Sequence, residues 1–133
     1  MSTAIGVLAP FMAHIEIPAG DHARLVADVT IPDDAAGVVV FADGSGSSRR
    51  SPRNGSVACE LNSAGLATVL ADLLTPAEED LDEKTRSFRI HIPFLTQRLI
   101  TVIDWTRRYP PLEDLPIGLL TQCLHSRRRQ WRW

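Results

Sequence analysis

Cysteine and lysine are almost missing from this chain, and it has no long apolar run. Its two cysteines, Cys59 and Cys123, are too few for a disulfide framework, so a reducing cytoplasm is the expected compartment. The four histidines (His14, His22, His91, His125) and the two cysteines show no metal-ligand spacing; no metal and no other cofactor is expected. No stretch approaches the roughly 18–20 apolar residues that cross a bilayer, and the N-terminus lacks the charged and apolar regions of a signal peptide. No membrane partner is expected. Internal repeats and low-complexity segments are also missing. Lys84 is the single lysine; the other 13 basic residues are arginine, the bias of a GC-rich coding sequence.

What is present suits one globular domain: 133 residues, 44% of them hydrophobic. Charge is spread unevenly. The whole chain carries −2, but residues 121–133 hold four arginines and no acid. Residues 1–120 therefore set ten basic side chains against sixteen acidic ones, a balance of −6. So acidic a body argues against nucleic acid as a partner, because that needs a basic face.

Along the chain, residues 11–18 alternate His14 and Glu16 against Ala13, Ile15 and Ile17, as a half-buried strand does. Turn residues Ala19-Gly20-Asp21-His22 lead into a second strand, 24–31, closed by Pro32-Asp33-Asp34. The pair reads as an N-terminal antiparallel hairpin. Residues 37–42 are continuously apolar and β-branched, the pattern of a central strand covered on both faces. A helix is expected from about Asn54 to Ser63, with Val57, Ala58 and Leu61 on one face and Gly65 as its stop. Leu66 to Ala71 is a fourth strand. Residues 75–87, rich in Asp and Glu, read as a solvated excursion. A long helix follows over about 92–108, with Ile92, Leu95, Leu99, Val102, Ile103 and Thr106 at helical spacing. Pro116 to Leu120 is a fifth strand. Strand, helix, strand, helix, strand after a hairpin is the α/β pattern of a mostly parallel sheet.

The segment with most chemical content is the third strand emptying into Asp43-Gly44-Ser45-Gly46-Ser47-Ser48. A Gly/Ser turn between a strand and a helix leaves backbone N–H groups free to meet a phosphate or a developing negative charge. Four stretches then carry a family resemblance: Leu25 to Pro32, Val38 to Ser48, Ala64 to Leu73 and Asp114 to Leu120. In that order and spacing the chain resembles the α/β-hydrolase superfamily, most closely its dienelactone-hydrolase-like branch, over about residues 12–120.

The resemblance implies a partial α/β-hydrolase fold with strand order 1-2-4-3-5, occupying residues 1–120. It implies an acyl-transfer site with Gly44, Ser45 and Gly46 as the oxyanion loop, though Asp43 stands where the branch has a histidine. The nucleophile position falls on Cys123, with Thr121 and His125 where the sharp elbow needs glycines. The acid and base of the triad come later in the family's order than Asp72 and Asp104 do here, and His125 is too near Cys123 in sequence to serve as its base. Residues 121–133 are expected to be an aberrant basic tail outside the fold, consistent with Ala/Gly codons read out of frame. The expected function is thus a truncated, inactive relative of carboxylic-ester and lactone hydrolases, acting on a small ester or lactone if active. The alternative is an anion- or phosphate-binding or protein-interaction module built on the 43–53 loop, with Arg49, Arg50 and Arg53 at a helix N-terminus. An unprotected fifth strand would leave an edge open to self-association.

Overall fold

The computed structural model describes residues 11–20, 22–43, 49, 51–85 and 92–122. Nine elements follow one another in these residues. Strands β1 (Phe11–Ala19) and β2 (Ala23–Ile31) pair antiparallel along their whole length, Phe11 opposite Ile31 and Ala19 opposite Ala23. Gly20 makes the reversal at φ +76°, a backbone region that favours glycine. Strands β3 (Val38–Asp43), β4 (Ala67–Ala71) and β5 (Ile117–Gln122) run parallel, while β4 meets β2 antiparallel. The sheet order is β1-β2-β4-β3-β5, as the resemblance implies. β5 runs two residues past the expected domain boundary: Thr121 and Gln122 pair with Ala42 and Asp43 and belong to the sheet. The rest of the basic tail lies outside the described residues.

Alternation along each strand divides the core between two faces. One face gathers Ile17, Leu25, Ala27 and Val29 of the hairpin with Val38, Val40 and Val69, and helix α3 (Ile92–Arg108) closes it with Leu95 and Val102. The other packs Val39, Phe41, Leu70 and Leu120 against Ala58 of helix α1 (Pro52–Ser63). β4 is buried at all five residues, which is why its sequence is apolar without alternation.

Helix α1 starts two residues before the expected position. Ser51 caps it, its side chain accepting from the Asn54 N–H at 3.3 Å, and Pro52 supplies the first-turn φ. At its other end Gly65, at φ +89°, gives its N–H to the Asn62 carbonyl while Leu66 gives its own to Leu61. That pair of bonds is a Schellman stop, and it turns the chain directly into β4.

Two expectations are corrected. The acidic excursion contains a helix, α2 (Pro76–Thr85). Thr75 and Glu78 form a reciprocal capping box, the Thr75 N–H on Glu78 Oε1 at 2.9 Å and the Glu78 N–H on Thr75 Oγ1 at 3.2 Å. Two acids in the first turn and Lys84 in the last suit the helix dipole. Ile92, placed on the apolar face of α3 from its spacing, is 63% exposed. It opens the helix one residue before Pro93, ahead of the turns that reach the sheet.

Candidate active site

Open α/β sheets place their ligands at the carboxyl ends of the parallel strands. Here those ends are Asp43 and Gln122, in register with each other, and Asp72, the residue after β4. The proposed oxyanion residues Gly44, Ser45 and Gly46 lie outside the described residues, as do Arg50 and the nucleophile candidate Cys123. The expectation that the backbone N–H groups of this Gly/Ser turn stay free for a negative charge falls there too.

Around this end the structure assembles a group of charges that sequence spacing does not reveal. Asp72 is 4% exposed, and its own N–H completes the β2–β4 ladder on the Val26 carbonyl at 2.9 Å. Its carboxylate accepts the Arg49 main-chain N–H at 3.1 Å and the Arg49 Nε–H at 3.2 Å. Asp28, on the α1 face of β2, lies 3.8 Å from Arg49 Nη1. Its other oxygen meets His14 Nδ1 at 2.9 Å, across the β1–β2 pair where the two residues stand opposite one another. Of the three arginines expected to receive an anion, Arg49 is thus already faced by two carboxylates. Arg53 is half-buried in the first turn of α1.

This group stands at the head of an open groove of about 650 Å³ between α1 and the hairpin, where Met12, Ala58 and Leu70 supply apolar walls. The exposed thiol of Cys59 lines the same groove. Among the described residues no cluster of His, Cys, Asp or Glu could hold a metal ion, and no helix is long and apolar enough to cross a membrane.

Below the site a second arginine braces the turn after β4. Arg98 of α3 reaches both Glu78 oxygens at 2.8 Å and the Leu73 carbonyl at 3.0 Å, with its guanidinium 4.4 Å from the Phe94 ring centre. Burial works to raise the Glu78 pKa. The hydrogen bonds from Arg98 and Thr75 and the Arg98 charge outweigh it, so the carboxyl is held below its ordinary value. Sequence reading missed both arginine contacts. Thr75-Pro-Ala-Glu78 was the available local signal, since a Thr followed by Glu three residues later marks a helix start.

Over most of its length the chain has the α/β-hydrolase fold of the dienelactone-hydrolase-like kind. The dienelactone hydrolase of Anabaena variabilis superposes with a TM-score of 0.80 at 42% identity, over 85% of this chain and 52% of that one. A dienelactone-hydrolase-like promiscuous phosphotriesterase from metagenomic libraries shares the fold at 17% identity and a TM-score of 0.65, covering 86% of this chain and 50% of its own. In sequence, two Mycobacterium tuberculosis proteins named "Putative phosphoribosyl transferase" are 48% identical over 90 residues, 68% of this chain and 19% of theirs. The chain therefore spans about a fifth of the curated relatives it matches and about half of the solved dienelactone hydrolase. No protein-family model matches it.

Proposed function

We propose that residues 11–122 are the oxyanion-loop half of an ester or lactone hydrolase of the dienelactone-hydrolase kind, and that the 133-residue chain by itself does not turn substrate over. The observation that carries this reading is the 42% identity to a dienelactone hydrolase on a superposable sheet, with the Gly/Ser connection leaving β3 at its carboxyl end. In such chemistry a thiolate or alkoxide attacks the substrate carbonyl, and backbone donors hold the negative charge that moves onto its oxygen. A base then returns a proton to the departing alcohol. Cys123 is the candidate nucleophile after β5. His125 stands two residues along, too near in sequence to reach the Cys123 sulfur as its base. Without a base, rate falls by several orders of magnitude.

We propose no phosphoribosyl transfer for this chain. That name belongs to relatives of which this chain matches only 19%, so it is not carried over. Its proposed compartment is the cytoplasm, on the scarcity of cysteine.

The test is purified chain against p-nitrophenyl acetate and a dienelactone at neutral pH, beside Cys123→Ala. The expected result is the same background rate for both. Turnover within tenfold of an ordinary esterase, abolished by Cys123→Ala, would overturn the inactive reading.

A further inference from the structure

The lining of the groove between α1 and the hairpin is chemically one-sided. Its charged residues are Asp28 and Arg49, with His14 beside them. Arg49 is committed: its main-chain N–H and its Nε–H both go to the buried carboxylate of Asp72. Asp28 is less occupied. Its Oδ1 accepts from His14 Nδ1 at 2.9 Å, but its Oδ2 lies 3.8 Å from Arg49 Nη1, outside hydrogen-bond reach, and its side chain is 45% exposed. With Asp72 counted, the group holds one net negative charge while His14 is neutral. Because neutral His14 donates through Nδ1, its Nε2 is an acceptor. Across the groove Asn62 spends its Nδ2 on the Leu66 carbonyl at 2.9 Å and on Thr68 Oγ1 at 3.2 Å, which leaves Oδ1 over among the described residues. Beyond the groove the same face of the hairpin carries Glu16 and Arg24, one of each sign.

We propose that this groove binds a small organic cation, a primary ammonium on an apolar body, with Asp28 as its counter-charge. The spare groups are acceptors and the surplus charge is negative, so a matching head group brings donors and positive charge. An ammonium has three donors and no acceptor. Met12, Ala58 and Leu70 offer apolar walls to the rest of the ligand, and about 650 Å³ lies within the usual size of a small-molecule site, roughly 300–1,000 Å³. An anion would meet Asp28 and find the Arg49 charge already matched. No step of acyl transfer uses Asp28, so the site is independent of the hydrolase reading.

The probe is phenethylammonium, titrated into the full chain at neutral pH and followed by NMR of the backbone amides. Phenethyl alcohol and phenylacetate carry the same ring on a neutral and an anionic head. Saturable shifts at the Asp28, Ala58 and Asn62 amides are expected with the ammonium, about fivefold tighter than with the alcohol, and none with phenylacetate. Asp28→Asn keeps the shape and removes the charge, and should bring the ammonium level with the alcohol. Met12→Lys, on the exposed rim, should also weaken the ammonium, and it decides the matter if Asp28→Asn does not fold. Asp104→Asn, exposed on α3 across the sheet, should change nothing. Unsaturable shifts, equal binding of the three probes, or an equal loss in Asp104→Asn (diffuse attraction to an acidic chain) would overturn the proposal. Preference for phenylacetate would make Arg49 an anion ligand and overturn it too. The readout is binding, so ester turnover tests the hydrolase reading separately.

Discussion

Replacing Arg98 by methionine should destabilise the chain by about 2 kcal/mol at neutral pH, and that loss should fade in acid. Methionine keeps the apolar stem against Phe94 and removes the guanidinium, which is held by both Glu78 oxygens and the Leu73 carbonyl. Hydrogen bonds to charged groups contribute about 1.5–3 kcal/mol each when removed from one side. Glu78 is 22% exposed and regains water once its partner is gone, so a full buried-pair penalty of about 3–5 kcal/mol does not apply. For a chain of this size 2 kcal/mol corresponds to roughly 6–10 °C in Tm. The pH sign follows from the lowered Glu78 pKa. Folding favours the ionised form, so the contribution is complete above the ordinary value of 4.5 and is lost as pH falls through the lower folded value. In Arg98→Met only the Thr75 hydrogen bonds still favour the ionised form, so that linkage is reduced. Urea unfolding followed by circular dichroism should therefore show a constant gap between the two proteins from about pH 7 to 5 and a shrinking one below 4.5. A gap as wide in strong acid as at neutrality, or no gap at all, would refute the argument.

Other outcomes follow from single residues. Gly65→Ala places a Cβ that meets nothing within 4 Å, so only the φ of +89° opposes it; a loss of about 1–2 kcal/mol is expected in thermal unfolding. Phe41→Ala, at 2% exposure between β3 and α1, should cost about 3–5 kcal/mol by urea titration. Cys59→Ser, on an exposed helix position, should leave Tm within about 0.5 kcal/mol of equivalent stability.

Much of the architecture was readable because it depends on local periodicity. Alternation in 11–18 and the turn residues on either side of 24–31 mark the hairpin, and unbroken apolar runs mark β3 and β4. Where local cues competed, the dominant one misled. Five acids over residues 78–83 outweigh the capping signal at Thr75 and Glu78, so the segment that folds as helix α2 reads as solvated chain. Spacing alone put Ile92 on the buried face, although a residue ahead of a first-turn proline has no preceding turn to direct it inward.

The amino-acid sequence by itself determined the order of elements, the place of each strand to within one or two residues, and the branch of the α/β hydrolases that the chain resembles. These properties depend on neighbours within a turn or a strand pitch. Only the tertiary structure decided what the charges do. Arg49, next to two other arginines and a Gly/Ser segment, reads as an anion receptor; the fold brings Asp72 to it from 23 residues away and Asp28 from β2. Arg98 finds Glu78 across 20 residues for the same reason. The partner of a charge is set by which strand ends lie side by side. That depends on the packing of the whole sheet, and no local pattern in the chain encodes it.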